Sequence, residues 1–243
     1  MVAVLFASWR CLLRRINSVT MAGQTGLNFS KFVHWGRNIV AVGRNYRDHC
    51  RELGNAVPTK PLLFMKPPSS YLEEGCGPIL IPRGCCNCHH EVELGVVIGN
   101  KCQDVPEQDV MSCIAGYALT LDMTARDIQE EAKKKGNPWA VAKGFDTALP
   151  VSRFISKKEL HDPSAVGLWC KVNEEMRQNG TTADMVFSIP YLISYISQYF
   201  TLHPGDLVLT GTPAGVGSVQ PGDVILAGLG DIVTMKFTVA RRE

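Results

Sequence analysis

The sequence predicts an α+β fold, mostly β, built as one domain with a few short helices. Three observations lead there. At 243 residues the chain is long enough for one sizeable core with a tail to spare. A hydrophobic fraction of 45% against 20% charged residues is that of a globular protein and not of a disordered one. Short apolar runs bounded by Gly, Pro and Asn outnumber stretches of helical periodicity. A net charge of +2 is too small to argue for nucleic acid or a membrane surface as partner. No apolar run approaches the roughly 18 residues that a membrane span needs.

Residues 1–31 read as a detachable leader and residues 32–243 as a single domain. No Asp or Glu occurs before Asp48, whereas Arg10, Arg14, Arg15 and Lys31 are already present. Arg10 and Arg14 are one helical turn apart, opposite Leu5, Trp9, Leu12, Leu13 and Ile16. An acid-free amphipathic start of this kind reads as a mitochondrial transit peptide. Plastid leaders share the composition, and a disordered basic tail is the plainer alternative. Met21 could serve as a second start, giving a cytosolic form.

Within the domain, Ile39 to Gly43 reads as a strand running into a turn, and Asn45 to Leu53 as a short helix ended by Gly54. Pro61 to Lys66 and Ile79 to Pro82 are strand candidates. Glu91 to Ile98 is the strongest strand, and Tyr117 to Met123 is another. Thr124 follows as a helix cap, with Asp127 three residues on, so the spacing predicts a helix over Ala125 to Lys135 that stops at Gly136. Leu168 to Val172 and Glu175 to Gln178 form a hairpin turning at Asn173-Glu174. Ser188 caps a helix through Phe200, with Pro190 in its first turn. Asp206 to Thr210, Val224 to Ala227 and Ile232 to Val239 are the closing strands.

The most informative stretch is His89-His90-Glu91-Val92-Glu93-Leu94-Gly95-Val96-Val97-Ile98-Gly99. Strand alternation puts Glu91 and Glu93 on one side. Two carboxylates there repel each other and are costly to desolvate, and a divalent cation is the simplest compensation. Oxygen ligands favour Mg²⁺, Mn²⁺ or Ca²⁺ over zinc. Alone, the pair reads more simply as a solvated strand edge. Asp122, at a strand-to-helix junction, either caps the helix or reaches a site outside the sheet. With Glu91 and Glu93 it completes a cage that leaves positions for water or a chelating substrate.

Three carboxylates around a 2+ ion leave the site negative, so a 2-oxo acid would need basic help. Arg126 and Gln129 lie on one helix face beyond Asp122. Lys143, in the apolar run Trp139 to Gly144, is either snorkelling or a buried ammonium facing an anion. His49 and Glu52, three apart, can meet as a base and its orienting carboxylate, or form a surface pair. Gly43-Arg44-Asn45-Tyr46 before them gives a flexible approach, so the segment could act as a lid. Leu209 to Gly217 is a strand running into a glycine-rich loop whose amides, with the Thr212 hydroxyl, could cradle a carboxylate. It lacks the ending of a P-loop.

Nine cysteines, an odd number, with no secretory signal, point to free thiols. Cys85-Cys86-Asn87-Cys88-His89-His90 could bind a soft metal but lacks a second spaced pair.

Taken together, Gly43-Arg44-Asn45-Tyr46 with His49, His90-Glu91-x-Glu93, Leu121-Asp122-Met123-Thr124-Ala125-Arg126-Asp127, Ala142-Lys143-Gly144 and Thr210-Gly211-Thr212-Pro213 resemble, in this order, the fumarylacetoacetate hydrolase superfamily. The resemblance spans residues 34–240. It is nearest to the short members that act as acylpyruvases, oxaloacetate decarboxylases and oxaloacetate tautomerases, often mitochondrial.

The resemblance implies a mixed β-sandwich roll of the C-terminal-domain type around a Mg²⁺ or Mn²⁺ ion, assembled as a homodimer. It implies Glu91, Glu93 and Asp122 as metal ligands and His49, Glu52 and Lys143 as catalytic residues. Arg44, Arg126, Gln129 and Thr212 fall at substrate-binding positions. The substrate would be a small 2-oxo acid, acted on through an enolate stabilised at the metal: hydrolysis of acylpyruvates, or tautomerisation and decarboxylation of oxaloacetate. The alternatives are a non-catalytic 2-oxo-acid-binding member, a zinc or thiol redox protein using Cys85 to His90, and a purely structural mitochondrial β protein. The Cys85–Cys88 loop departs from the family pattern without replacing a ligand.

Overall fold

The computed structural model describes residues 26–243. Residues 1–25 of the leader reading, with the second start at Met21 and Cys11, therefore lie outside the described residues. The expected boundary at 31/32 is crossed by a short 3-10 helix, Phe29–His34, with Phe32 buried and Phe29 stacked on Phe154 at 6.0 Å. Among the described residues no helix is long and apolar enough to cross a membrane.

Three sheets, mostly antiparallel, curl around a common core and carry few short helices. The largest runs Leu62–Lys66, Ile39–Gly43, Leu207–Leu209, Val92–Ile98, Ile114–Leu121, Leu149–Val151 and Tyr71–Glu73, with Ile155–Ser156 added on Ile114–Leu121. A five-stranded sheet runs Glu175–Thr181, Gly167–Val172, Val224–Leu229, Val233–Arg241 and Ile79–Ile81. A small third sheet joins Gly217–Val219, Cys88–His90 and Thr124–Ala125. The main hydrophobic cluster draws on Leu94, Val96, Leu119 and Leu121 from the large sheet and on Leu168, Ile225 and Phe237 from the five-stranded one. Val92–Ile98 is buried at all seven positions because strands flank it on both sides and residues cover both its faces.

Local signals place several elements. The Asn173-Glu174 turn has φ of 50° and 68°, the left-handed pair that matches hairpin twist. Ser188 Oγ accepts the Tyr191 N–H at the start of Ile189–Ser197, a helix that ends short of the expected Phe200. Gly136, at φ 68°, ends the helix Arg126–Lys135.

Three expectations are corrected. Thr124 is not a helix cap: it belongs to a two-residue strand paired with His89, and its hydroxyl donates to the Asp122 carbonyl. Asp127 does not close a capping box; its carboxylate accepts the Cys86 N–H at 2.6 Å and so ties down the cysteine loop. The helix after Gly43 covers only Arg47–Glu52, because Asn45 is fully buried and spent on other contacts.

Candidate active site and metal centre

The three carboxylates are positioned by one ladder. Val92 pairs with Leu121 and Glu93 with Thr120 in the large sheet, while Cys88 pairs with Ala125 and His89 with Thr124 in the small one. The register is the same on both sides, so the two strands continue from one sheet into the other, with the ladder interrupted at Glu91. Glu91 thus interrupts the expected continuous strand, and its carbonyl accepts the Asp122 N–H at 2.8 Å. Glu91 and Asp122 stand opposite each other, and Glu93, two residues on, shares their face. One oxygen from each lies within 4.8 Å of the others, and all three residues are buried.

Three cations meet them. Lys143 ends a four-residue helix, Ala140–Lys143, and is 2% exposed, so it is a buried ammonium and does not snorkel. Its Nζ donates to Glu91 Oε2 at 2.9 Å and to Asp122 Oδ2 at 2.6 Å. Arg126 donates from Nη2 to Glu91 Oε1 and from Nη1 to Gln129 Oε1 at 2.6 Å. The third cation, Lys66, escaped the sequence reading. Its Nζ donates to Asp122 Oδ1 at 2.6 Å and to the Lys143 carbonyl. The available signal was a lysine closing an apolar strand just before Pro67-Pro68.

This charge pattern divides the carboxylates. Burial pushes the Glu91 carboxyl up, but Lys143 and Arg126 overcome it and hold the group below the usual carboxylate range. Glu93 meets neither ammonium nor guanidinium; its Oε2 accepts only the Gly211 N–H, at 2.7 Å. Burial, then Asp122 and Glu91, raise it well above that range. Burial lowers Lys66 against the pull of Asp122, whereas Asp122 and Glu91 outweigh burial at Lys143 and raise it. A site in which two carboxylates disfavour the charge of a third suits a divalent oxygen-seeking cation, which would favour the ionised form of all three.

His49 and Glu52 meet: Nδ1 and Oε2 are 3.2 Å apart, and Glu52 Oε1 accepts the Gly215 N–H at 3.0 Å. His49 lines the same cavity as the carboxylates, with Arg44, Phe64, Trp139 and Gln129 on its walls. The approach to this helix is anchored and not flexible. The Asn45 amide donates to the Thr210 and Phe187 carbonyls and accepts the Phe187 N–H. Arg44 takes φ 60° there, an uncommon conformation for a residue with a Cβ. Thr212 also lines the cavity, but its hydroxyl proton goes to the Val92 carbonyl at 2.8 Å.

Among the described residues, Glu91, Glu93 and Asp122 are the one group of three or more candidate ligands that converges. The cysteine loop brings no comparable set together. Cys85 and Cys88 are buried thiols and Cys86 is exposed, all free, so the zinc reading finds no ligand geometry.

The Fumarylacetoacetate (FAA) hydrolase C-terminal family matches residues 38–240. A mitochondrial oxaloacetate tautomerase of Mus musculus is 54% identical over 214 residues, 88% of this chain and 96% of that one. A mitochondrial oxaloacetate decarboxylase of Dictyostelium discoideum is 51% identical over 215 residues, covering 88% and 99%. The crystal structure of fumarylpyruvate hydrolase from Pseudomonas aeruginosa, in complex with Mn²⁺ and pyruvate, superposes with a TM-score of 0.81 at 33% identity, covering 85% of this chain and 91% of that one. The chain belongs to the fumarylacetoacetate hydrolase family and is an enzyme of it.

Proposed function

We propose that this chain is a Mg²⁺- or Mn²⁺-dependent enzyme of small 2-oxo acids, with oxaloacetate tautomerisation and decarboxylation first and acylpyruvate hydrolysis as a related activity. The observation that carries the proposal is one cavity lined by both a converging carboxylate triad and His49, whose Nδ1 meets Glu52 behind it. The names of the two relatives above put oxaloacetate first, and the Mn²⁺ and pyruvate of the Pseudomonas enzyme fit the metal and the substrate class. A mitochondrial address accords with the relatives' names and with the acid-free leader.

Glu91, Glu93 and Asp122 would hold the cation, which would supply charge stabilisation to a bound 2-oxo carboxylate. Glu52 fixes the tautomer of His49, leaving Nε2 as the base. In tautomerisation His49 removes a proton from C3, and the electron pair moves onto the C2 oxygen. Arg126 and Lys143 oppose the negative charge that develops. In hydrolysis His49 takes the proton of a water that attacks the distal ketone, and the C3–C4 bond breaks to give pyruvate and a carboxylate. In decarboxylation the C4 carboxylate leaves as CO₂, and no base is needed for that step.

The test is turnover by the full chain with Mg²⁺ or Mn²⁺, offering oxaloacetate and acetylpyruvate separately and following enol absorbance, CO₂ and pyruvate. Metal-dependent turnover, absent in Glu91→Ala, is the expected result. Metal binding without turnover of either substrate would favour a binding role instead.

A further inference from the structure

Val92 stands between two of the carboxylates, and on one side its backbone has lost its neighbour strand. Leu207–Leu209 pairs with Gly95 to Val97, and Thr210 N still reaches the Leu94 carbonyl. Beyond that point the chain leaves the ladder. The Val92 N–H and carbonyl would then be buried unpaired, which is costly for backbone polar groups.

Two side chains replace the missing strand. Val92 N–H donates to Gln178 Oε1 at 3.0 Å, and the Thr212 hydroxyl donates to the Val92 carbonyl at 2.8 Å. The two are joined, since Gln178 Nε2 donates to Thr212 Oγ1 at 2.8 Å. Gln178, on Glu175–Thr181 of the five-stranded sheet, is fully buried. Its remaining capacity is used too: Oε1 also accepts from His90 Nδ1 at 2.9 Å, and Nε2 donates to the Pro213 carbonyl at 2.9 Å. The orientation of the amide is dictated by its partners, because Val92 N–H can only donate and the Pro213 carbonyl can only accept.

Gln178 thereby holds both neighbours of Glu91 and the loop whose Gly211 N–H binds Glu93. We propose that Gln178 is a positioning residue that, through Thr212, substitutes for a strand beside Val92 and sets Glu91 and Glu93 at the spacing a divalent cation needs. The inference rests on the metal-centre reading above. It assigns the Thr212 hydroxyl to the scaffold and not to the substrate.

The test is Mn²⁺ affinity of the metal-stripped full chain, measured from the electron paramagnetic resonance signal of free Mn²⁺ and by calorimetry. Gln178→Leu and Thr212→Val should each weaken binding about tenfold or more, the range for partners that orient metal ligands. Leu168→Ala, a core change in the adjoining strand outside the clamp, should lower the melting temperature and keep the wild-type Kd. Wild-type affinity in folded Gln178→Leu would overturn the proposal. So would a Kd loss in Leu168→Ala equal to that in Gln178→Leu, since that is generic loosening. If Gln178→Leu does not fold, Thr212→Val decides by the same criterion. Absence of Mn²⁺ binding by the wild type would instead overturn the metal-centre reading itself, and this inference with it.

Discussion

The carbonyl of Glu91 accepts the backbone N–H of Asp122 at 2.8 Å, so two of the three converging carboxylates are fixed face to face by the backbone that carries them. The spacing of the site is therefore a property of the ladder and not of side-chain rotamers alone. The interruption of the ladder falls at this pair, where the strands pass from one sheet to the next.

Lys66 should be a stability residue as well as a site residue. Its ammonium is wholly buried against Asp122 and the Lys143 carbonyl. Lys66→Met leaves a carboxylate oxygen without its donor inside the protein, which costs about 3–5 kcal/mol when a buried pair is broken. Urea unfolding of the metal-free variant measures this, and a loss well under that range would mean that Lys143 alone satisfies Asp122.

His49 should affect turnover but not metal binding. His49→Ala is expected to lower the hydrolysis and tautomerisation rates about 10²–10⁴-fold, the contribution of a positioned base, while Mn²⁺ affinity is retained. Decarboxylation needs no base in the bond-breaking step and should fall less. Equal losses in all three reactions would argue that His49 binds substrate and does not move protons.

Metal affinity should rise with pH. In the metal-free fold Glu93 keeps its proton above the usual carboxylate range, because burial, Asp122 and Glu91 disfavour its charge. A group with a raised folded pKa contributes stability that is complete below its unfolded value and is lost as pH rises through the folded one. A cation requires the ionised form, so binding should release this proton within that window. Calorimetry in buffers of different ionisation enthalpy counts it, and no proton release would mean that Glu93 is already ionised.

Gly215 should tolerate no side chain. It has φ 94°, and a Cβ would lie 1.9 Å from the Arg177 carbonyl oxygen. The residue also donates its N–H to Glu52. Gly215→Ala should cost about 1–3 kcal/mol for the backbone conformation alone. The shift of the loop should also lower turnover by releasing the orienting carboxylate, as thermal melts and kinetics together would show.

Most of the site was legible in the chain because its residues sit in short segments with strong local meaning. Glu91 and Glu93 follow from strand alternation, and His49 with Glu52 from helix spacing. Lys66 and Gln178 were not legible: each is an ordinary residue of a strand, and its importance arises from partners 56 and 86 to 88 positions away. Thr124 misled because a residue that suits a helix cap also suits a strand, and pairing with His89 decided between them.

Periodicity and short motifs are local properties of the chain, and they were enough to read a mostly β domain, the carboxylates that can share a face, and the family to which the motifs belong. Folding settled the rest: the ladder is interrupted at Glu91, Lys143 is buried against two carboxylates, and Gln178 and Thr212 replace a strand beside Val92. Those features depend on buried polar groups finding partners from distant segments, and no local pattern records which partners are within reach.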